Sequence, residues 1–421
     1  MSTPYKSILR KTIATVCTIF IILGMIHHQA MASPTRFSRH KQLAHANNAF
    51  GLALYKELLK NKKYKNKNLF FSPHSLHIAL SMTLEGARGR TEQEMNQVLR
   101  FSAGKQSLQK SISSFLSTLK IQGNRKHGKF RSVNRLWAQK GKRFLKSFLD
   151  NVKQNYGSGL RKLDFKTPAS IKKAVKRINA WVARKTNNKI KELIHKSLVT
   201  PATRLILTNA VYFKDNWKVK FNKRHTRKRA FYTNDNQRVK VPTMFVKAKF
   251  KYGVQRGVQI LELPYSSGFS MVVLLPRRKK LAQLEARLSA ETLKKWLSRL
   301  YKRKTLVYLP RFKVKSGMLL KKTLIKMGMV AAFVKKAADF SGMDGTKWLK
   351  LAQVIHKGFV EVNEKGTEAA AATAVIVRMK RSARRPRPPV FRANRPFIYL
   401  IRDKHTGTIL FMGRMMNPKA K

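Results

Sequence analysis

The residues best suited to take part in chemistry lie in the stretch Glu361–Pro389, EVNEKGTEAAAATAVIVRMKRSARRPRPP. Within it Arg378-Met-Lys-Arg381 is followed by the small Ser382. A long cation at this place suits a protease whose specificity pocket carries a carboxylate at its base, so the chemistry on offer is that of a substrate. The same four residues fit the R-x-K-R pattern of furin-like convertases, as bait for such an enzyme or as a processing site. Arg384-Arg385 is a secondary cleavage candidate, and the bond to Pro386 is disfavoured by the proline. Catalytic machinery is missing: the sequence holds no HExxH, no Walker A and no GxSxG pattern. Its one cysteine, Cys17, lies in the amino-terminal segment, which excludes thiol catalysis and CxxC zinc sites from the rest. His74, His77 and His356 stand scattered among apolar residues, the setting of satisfied core groups rather than of ligands. Neither an enzyme nor a metal site is expected.

The elements that position this stretch have opposing preferences. Ala369, Ala370, Ala371 and Ala372 favour a helix, while Gly366 before them and Val375-Ile376-Val377 after them favour extended chain. In a strand, Thr367, Ala369, Ala371 and Thr373 share a face. Such small side chains could slip between two strands of an existing sheet without overpacking its core. The distal cations and Pro386, Pro388 and Pro389 resist the same burial. A segment of this length in a compact domain is either functional or disordered, and on composition alone a flexible surface loop stays open.

Glu361 to Ala374, EVNEKGTEAAAATA, resembles the hinge of the reactive-centre loop of the serpins. Arg395-Pro-Phe through Leu410-Phe-Met-Gly-Arg414 and Asn417-Pro418 resembles their carboxy-terminal signature. Asn68-Leu-Phe-Phe-Ser-Pro-His-Ser75 opens a run to residue 100 similar to serpin helices B and C. Asn209-Ala-Val-Tyr-Phe213-Lys-Asp-Asn-Trp217 resembles the motif NAxYFKGxW, with Asp215 where glycine is common, a departure expected to alter a turn rather than function. Phe340-Ser-Gly342 matches the DFSG element, and the resemblance spans roughly residues 44 to 418.

The resemblance implies an α+β serpin fold, with about nine helices around three β-sheets and an exposed, insertable reactive-centre loop at about 364–390. It implies inhibition by self-sacrifice: a serine protease forms an acyl-enzyme with the loop, the freed hinge inserts as a new strand, and the protease is dragged away and distorted. About a dozen inserted residues at roughly 1 kcal/mol of net ladder bonding each would release on the order of ten kcal/mol, comparable to a whole folding margin. By resemblance Glu364 begins the hinge, Gly366 and Thr367 enter the sheet first, and Glu368 and Ala369 to Ala372 follow. Ser72, Ser75, Asn209 and His356 match the shutter, as a buried polar network, and Trp217 marks the breach. Counting from Gly366 puts the scissile bond after Lys380; one residue further gives Arg381-Ser382, whose small P1′ makes it the favoured register.

Charge is the second strong signal, 91 Lys and Arg against 18 Asp and Glu in 421 residues, a formal +73. Self-repulsion on this scale is relieved by salt or by a polyanion. A heparin-like polysaccharide or another polyanion is therefore an expected partner, beside the trypsin-like protease. After an amphipathic helix at 105–120 come Lys120, Arg125, Lys126, Lys129 and Arg131, where the resemblance implies a polyanion site near helix D. The few acids Asp164, Asp339, Glu361, Glu364 and Glu368 fall inside motifs, which points to structural duties.

Residues 1–32 read as a cleaved secretory leader: Lys6, Arg10 and Lys11, an apolar core from Thr12 to Ile26, and Ala30-Met-Ala32 before Ser33. The alternative is an uncleaved anchor, although the apolar core is short for a bilayer span. Loss of the leader's three cations lowers the charge to +70 (73 − 3). Residues 33–421 then form one domain without cysteine, held by packing alone and expected as a secreted monomer. Thr91 and Glu94 read as a capping box, residues 143–156 and Leu284–Leu300 as helices, and Leu351–Val362 as the strand entering the loop.

Overall fold

The computed structural model describes residues 36–101, 111–118, 128–277, 281–367 and 387–420. His40–Lys421 is one compact unit. Helix α1 (Arg36–Leu59) leads to the short strand β1 (Leu69–Phe71). Then comes α2 (Pro73–Leu84), begun by Ser72, whose side chain accepts from Ser75 N, with Pro73 in the first turn. All twelve residues of α2 are buried, as expected for a helix apolar on every side.

Helix α3 (Gly89–Leu99) does not use the capping box expected at Thr91 and Glu94. Thr91 is buried and accepts from Asp339 N, while Glu94 accepts from Val330 N and Ala331 N at 2.7 and 2.6 Å, so both serve a neighbouring segment. Residues 111–118 form helix α4. Strand β2 (Gly128–Gln139), α5 (Lys146–Tyr156), β3 (Leu160–Leu163), α6 (Pro168–Lys185) and β4 (Leu205–Asn216) follow. Strands β5 (Arg227–Tyr232), β6 (Arg238–Gln255), β7 (Val258–Pro264) and β8 (Phe269–Pro276) form a meander. The single helix expected at 284–300 is two, α7 (Leu281–Arg287) and α8 (Ala290–Ser298), because Ser289 starts a new helix by accepting from Thr292 N. After them come β9 (Tyr301–Pro310), β10 (Phe312–Leu319), α9 (Lys321–Lys326), α10 (Ser341–Asp344) and β11 (Leu351–Asn363). The chain ends with β12 (Gly366–Thr367), β13 (Val390–Arg392) and the hairpin β14 (Phe397–Asp403) and β15 (Ile409–Met415).

One sheet has the order β10-β11-β12-β4-β2-β3. The other hydrogen-bonded path runs β1-β15-β14-β8-β7-β6-β9-β13 with β5 on β6. The long β6 pairs β5 through its first part and β7 through its last, so this path is two sheets sharing one strand. Three sheets result, as expected. Alternation along β4 sets its two faces: Leu205, Leu207, Val211 and Phe213 join the main core, and Ile206, Ala210 and Tyr212 join a second cluster with Trp137, Ile178, Trp181 and Phe359 under α6. Among the described residues no helix is long and apolar enough to cross a membrane.

Candidate functional site: the loop hinge and the strands beneath it

The hinge sits where β11 and β4 part. From Leu351↔Leu205 to Phe359↔Tyr212 the two strands pair directly and in parallel. Beyond Phe359 they diverge, and β12 fills the gap, antiparallel to both: Thr367 faces Val362 and Asp215, and Gly366 faces Asn363 and Asn216. Gly366 has φ +155°, and a Cβ there would run into the carbonyl of Asp215, so only glycine fits the entrance. Gly366 and Thr367 therefore already lie as a short strand between β11 and β4.

Contacts on all sides hold them there. Thr367 is fully buried, and its hydroxyl shares a 2.7 Å hydrogen bond with the Tyr265 hydroxyl. Tyr265 stacks on Trp217, with ring centroids 4.4 Å apart and planes 10° off parallel. The Trp217 indole N–H donates to Asn363 O at 2.8 Å and its backbone N–H to Lys365 O at 2.8 Å, tying the breach to both ends of the turn. Glu364 accepts from Thr226 Oγ1 and from Arg311 Nε, each at 2.6 Å. Burial alone would raise its carboxyl, but the bonds from Arg311 and Thr226 hold it below the usual carboxylate range.

Beneath this entrance His356 and Asn209 face each other across β11 and β4. Ser72 N–H donates to His356 Nε2 at 3.2 Å, so Nδ1 carries the proton and donates to Asn209 Oδ1. Asn209 Nδ2 donates to Ser75 Oγ and Asn134 Oδ1; Ser75 and Ser132 hydroxyls bond at 2.6 Å, and Ser72 Oγ donates to Leu410 O at 2.6 Å. Burial pushes His356 down to about 3, so it stays neutral. The structure thus brings Ser72, Ser75, Asn209 and His356 into one network and adds Asn134 and Ser132 from β2. Neither was foreseen, although both sit on the strand next to Asn209 with the parity that faces α2.

Asp215 corrects a sequence expectation. It lies inside β4 rather than at a turn, fully buried on the core face, and its Oδ2 accepts from the Ser267 hydroxyl. Its Oδ1 is buried without a hydrogen-bond partner. Desolvation raises the carboxyl to about 6, against the opposing bonds from Ser267 and Asn216.

Other acids have fixed duties. Asp164 accepts from Gln139 Nε2 at 3.0 Å, Asp339 from Ser341 Oγ at 2.7 Å, and Glu361 lies 3.4 Å from Lys313 Nζ. The hinge residues Glu368, Ala369, Ala370, Ala371 and Ala372, the reactive-bond residues Lys380, Arg381 and Ser382, and Lys120, Arg125 and Lys126 lie outside the described residues. Lys129 begins β2 next to Gly128, its side chain outside the described set, and Arg131 is exposed opposite Tyr212.

A protein-family model, Serpin (serine protease inhibitor), matches residues 45–418. An uncharacterized serpin-like protein of Thermococcus kodakarensis is 40% identical over 383 residues, 90% of this chain and 87% of that protein. The leukocyte elastase inhibitor of Xenopus laevis is 39% identical over 389 residues, 90% of this chain and 100% of its own. The crystal structure of human thyroxine-binding globulin complexed with thyroxine superposes with a TM-score of 0.81 at 29% identity, covering 91% of this chain and 100% of that one. With a family match over nearly the whole compact unit and a sheet parted around the hinge, the chain belongs to the serpin (serine protease inhibitor) family.

Proposed function

We propose that the chain is a secreted inhibitor of trypsin-like serine proteases that traps its target covalently after cleavage at a basic P1, Arg381 or Lys380, and that it binds heparin-like polyanions. The observation that carries the inhibitory reading is the seated pair Gly366–Thr367 between β11 and β4. The residues next in line are Glu368 and four alanines, and the alanines are small enough to follow into the sheet. Insertion would exchange direct β11–β4 pairing for two new ladders. The excess of 91 basic over 18 acidic residues supports the polyanion partner.

Mixing the protein with a panel of trypsin-like proteases, with and without heparin, tests this. The expected result is a complex that survives SDS, with a released peptide starting at Ser382 or Arg381. Cleaved loop beside fully active protease would refute it. A second reading, a cationic polyanion-binding member that keeps the fold without inhibiting, draws on the same charge. Its mark is anion binding unaffected by Arg381→Ala and no gain in heat resistance after loop cleavage. The R-x-K-R run keeps a furin-like convertase in the protease panel.

A further inference from the structure

Strands β10 and β11 pair with Lys315 opposite Phe359 and Gly317 opposite Lys357. Residues directly opposite on a sheet share a face, and over this face runs the chain that follows α6. Residues 188–192 roof a cleft of about 350 Å³, floored by residues 315–317 and 357–359. Its size falls at the lower end of small-molecule sites. Gly317 makes the room: a Cβ there would stand 3.2 Å from Lys357 Cε, so the lysine stem lies across the glycine.

The lining has two characters. Ile190 and Phe359 are buried and give it an apolar wall. Lys191 and Lys315 are exposed at its mouth, and Lys357 is half-buried on its floor, its ammonium donating to the Glu192 carbonyl in the roof. Lys313, next along the same face, is engaged elsewhere, 3.4 Å from Glu361 and 5.4 Å from the Phe359 ring. Glu192 is the only acid among the described residues lining the cleft. Burial lowers the Lys357 amine below the usual lysine range, against the opposing pull of Glu192, and an anion beside it offsets that desolvation.

We propose that this cleft binds a small organic anion, a single carboxylate, sulfonate or phosphate group on a compact apolar body. The anionic group meets Lys357, Lys191 and Lys315, and the body lies against Ile190, Phe359 and the apolar lysine stems. The roof and the small volume keep a polymer out, and a bare inorganic ion leaves the apolar wall without a partner.

Such a ligand also acts on the sheet. Asn179 of α6 fixes the roof, accepting from Leu193 N and Ile194 N at 2.8 and 3.0 Å and donating to Ile194 O at 2.9 Å. Helix α6 in turn packs with Trp137 of β2 and with Ile206 and Ala210 of β4. A ligand held between roof and floor therefore joins the β4 side of the sheet to β11. It resists the parting of β11 from β4 that strand insertion demands. That consequence rests on the inhibitory reading above; the binding does not.

The test titrates the full chain with phenyl phosphate by calorimetry at physiological ionic strength, with inorganic phosphate beside it. The parent is expected to bind phenyl phosphate saturably and more tightly than inorganic phosphate. Loss of a charged hydrogen-bond partner weakens binding by about tenfold or more, and that is expected of Lys357→Met and of Lys191→Ala/Lys315→Ala. Lys191 and Lys315 are exposed, so the double variant reports even where Lys357→Met fails to fold. Lys228→Ala/Lys240→Ala removes two exposed cations of β5 and β6, and is expected to change binding by less than about twofold because distant surface charges are screened. No saturable binding by the parent, or unchanged binding in the cleft variants, overturns the site. Inorganic phosphate binding as tightly as phenyl phosphate overturns the ligand class. Saturating phenyl phosphate is expected to slow formation of the SDS-stable protease complex in the parent and not in the cleft variants. Bound probe with an unchanged rate overturns the clamp. A parent that forms no complex even without probe overturns the inhibitory reading and the clamp with it, while calorimetry alone decides the cleft.

Discussion

Replacing Asp215 by asparagine removes a buried charge at the breach while keeping the shape of the side chain. Oδ2 is satisfied by Ser267, but Oδ1 has no hydrogen-bond partner. The groups around it are the Tyr265 phenol, itself pushed up by burial, the Ser267 hydroxyl and Thr367 across the ladder. Lifting the carboxyl from 3.8 to about 6 corresponds to about 3 kcal/mol against the ionised form. Because the folded value is the raised one, the folded state binds the proton more tightly. Stability is greatest below the unfolded value and falls as the pH rises through about 6. The penalty is about 0.5 kcal/mol at pH 4 and about 3 kcal/mol above pH 7. Asp215→Asn should therefore raise the unfolding temperature at pH 7.5 by about 4 °C, given the unfolding entropy of a domain this large, with little gain at pH 4. The assay is thermal unfolding of the intact parent and variant across pH 4 to 8, read as the difference between them. An equal or lower unfolding temperature for the variant at pH 7.5, or a difference that does not change with pH, would refute the reasoning.

Asn209→Ala removes the side-chain bond that joins β4 to β11 and leaves the His356 N–H unpaired, at a cost of about 1–3 kcal/mol; native gels after mild heating should show more inserted or polymeric species than the parent. His356 and His74 are lowered to about 3 and His77 to about 4 by burial, so the unfolded chain binds more protons and stability is lost as the pH falls below about 6.5. Unfolding temperatures between pH 4 and 7 should show His356→Gln flattening that loss. Thr367→Arg puts a charge where the Tyr265 hydroxyl now meets a small side chain; the expected outcome is a faster-cleaved substrate, read as a rise in the moles of protein consumed per protease inhibited.

The entry at Gly366 and Thr367 was legible because its requirements are local: a glycine where no Cβ fits and a threonine small enough to be buried. Core strands such as β4 were legible from apolar runs, and the β14–β15 hairpin from the glycine between its strands. The Thr91–Glu94 pattern misled because its side chains serve the segment around Val330 and Asp339, distant in sequence. Asp215 misled because its motif position suggests a turn, whereas strand pairing to both β2 and β12 carries it into the core.

By itself the sequence determined the family resemblance, the run of small residues after Gly366, the basic run before Pro386 and the extreme positive charge, all properties of neighbouring residues or of composition. Only the tertiary structure decided that Gly366 and Thr367 are already seated, that Asn134 and Ser132 complete the network under His356, and that Lys357 lies opposite Gly317. Each depends on strand register, which hydrogen bonding between segments far apart in the chain sets, and a slip of one residue would turn every one of these side chains to the other face.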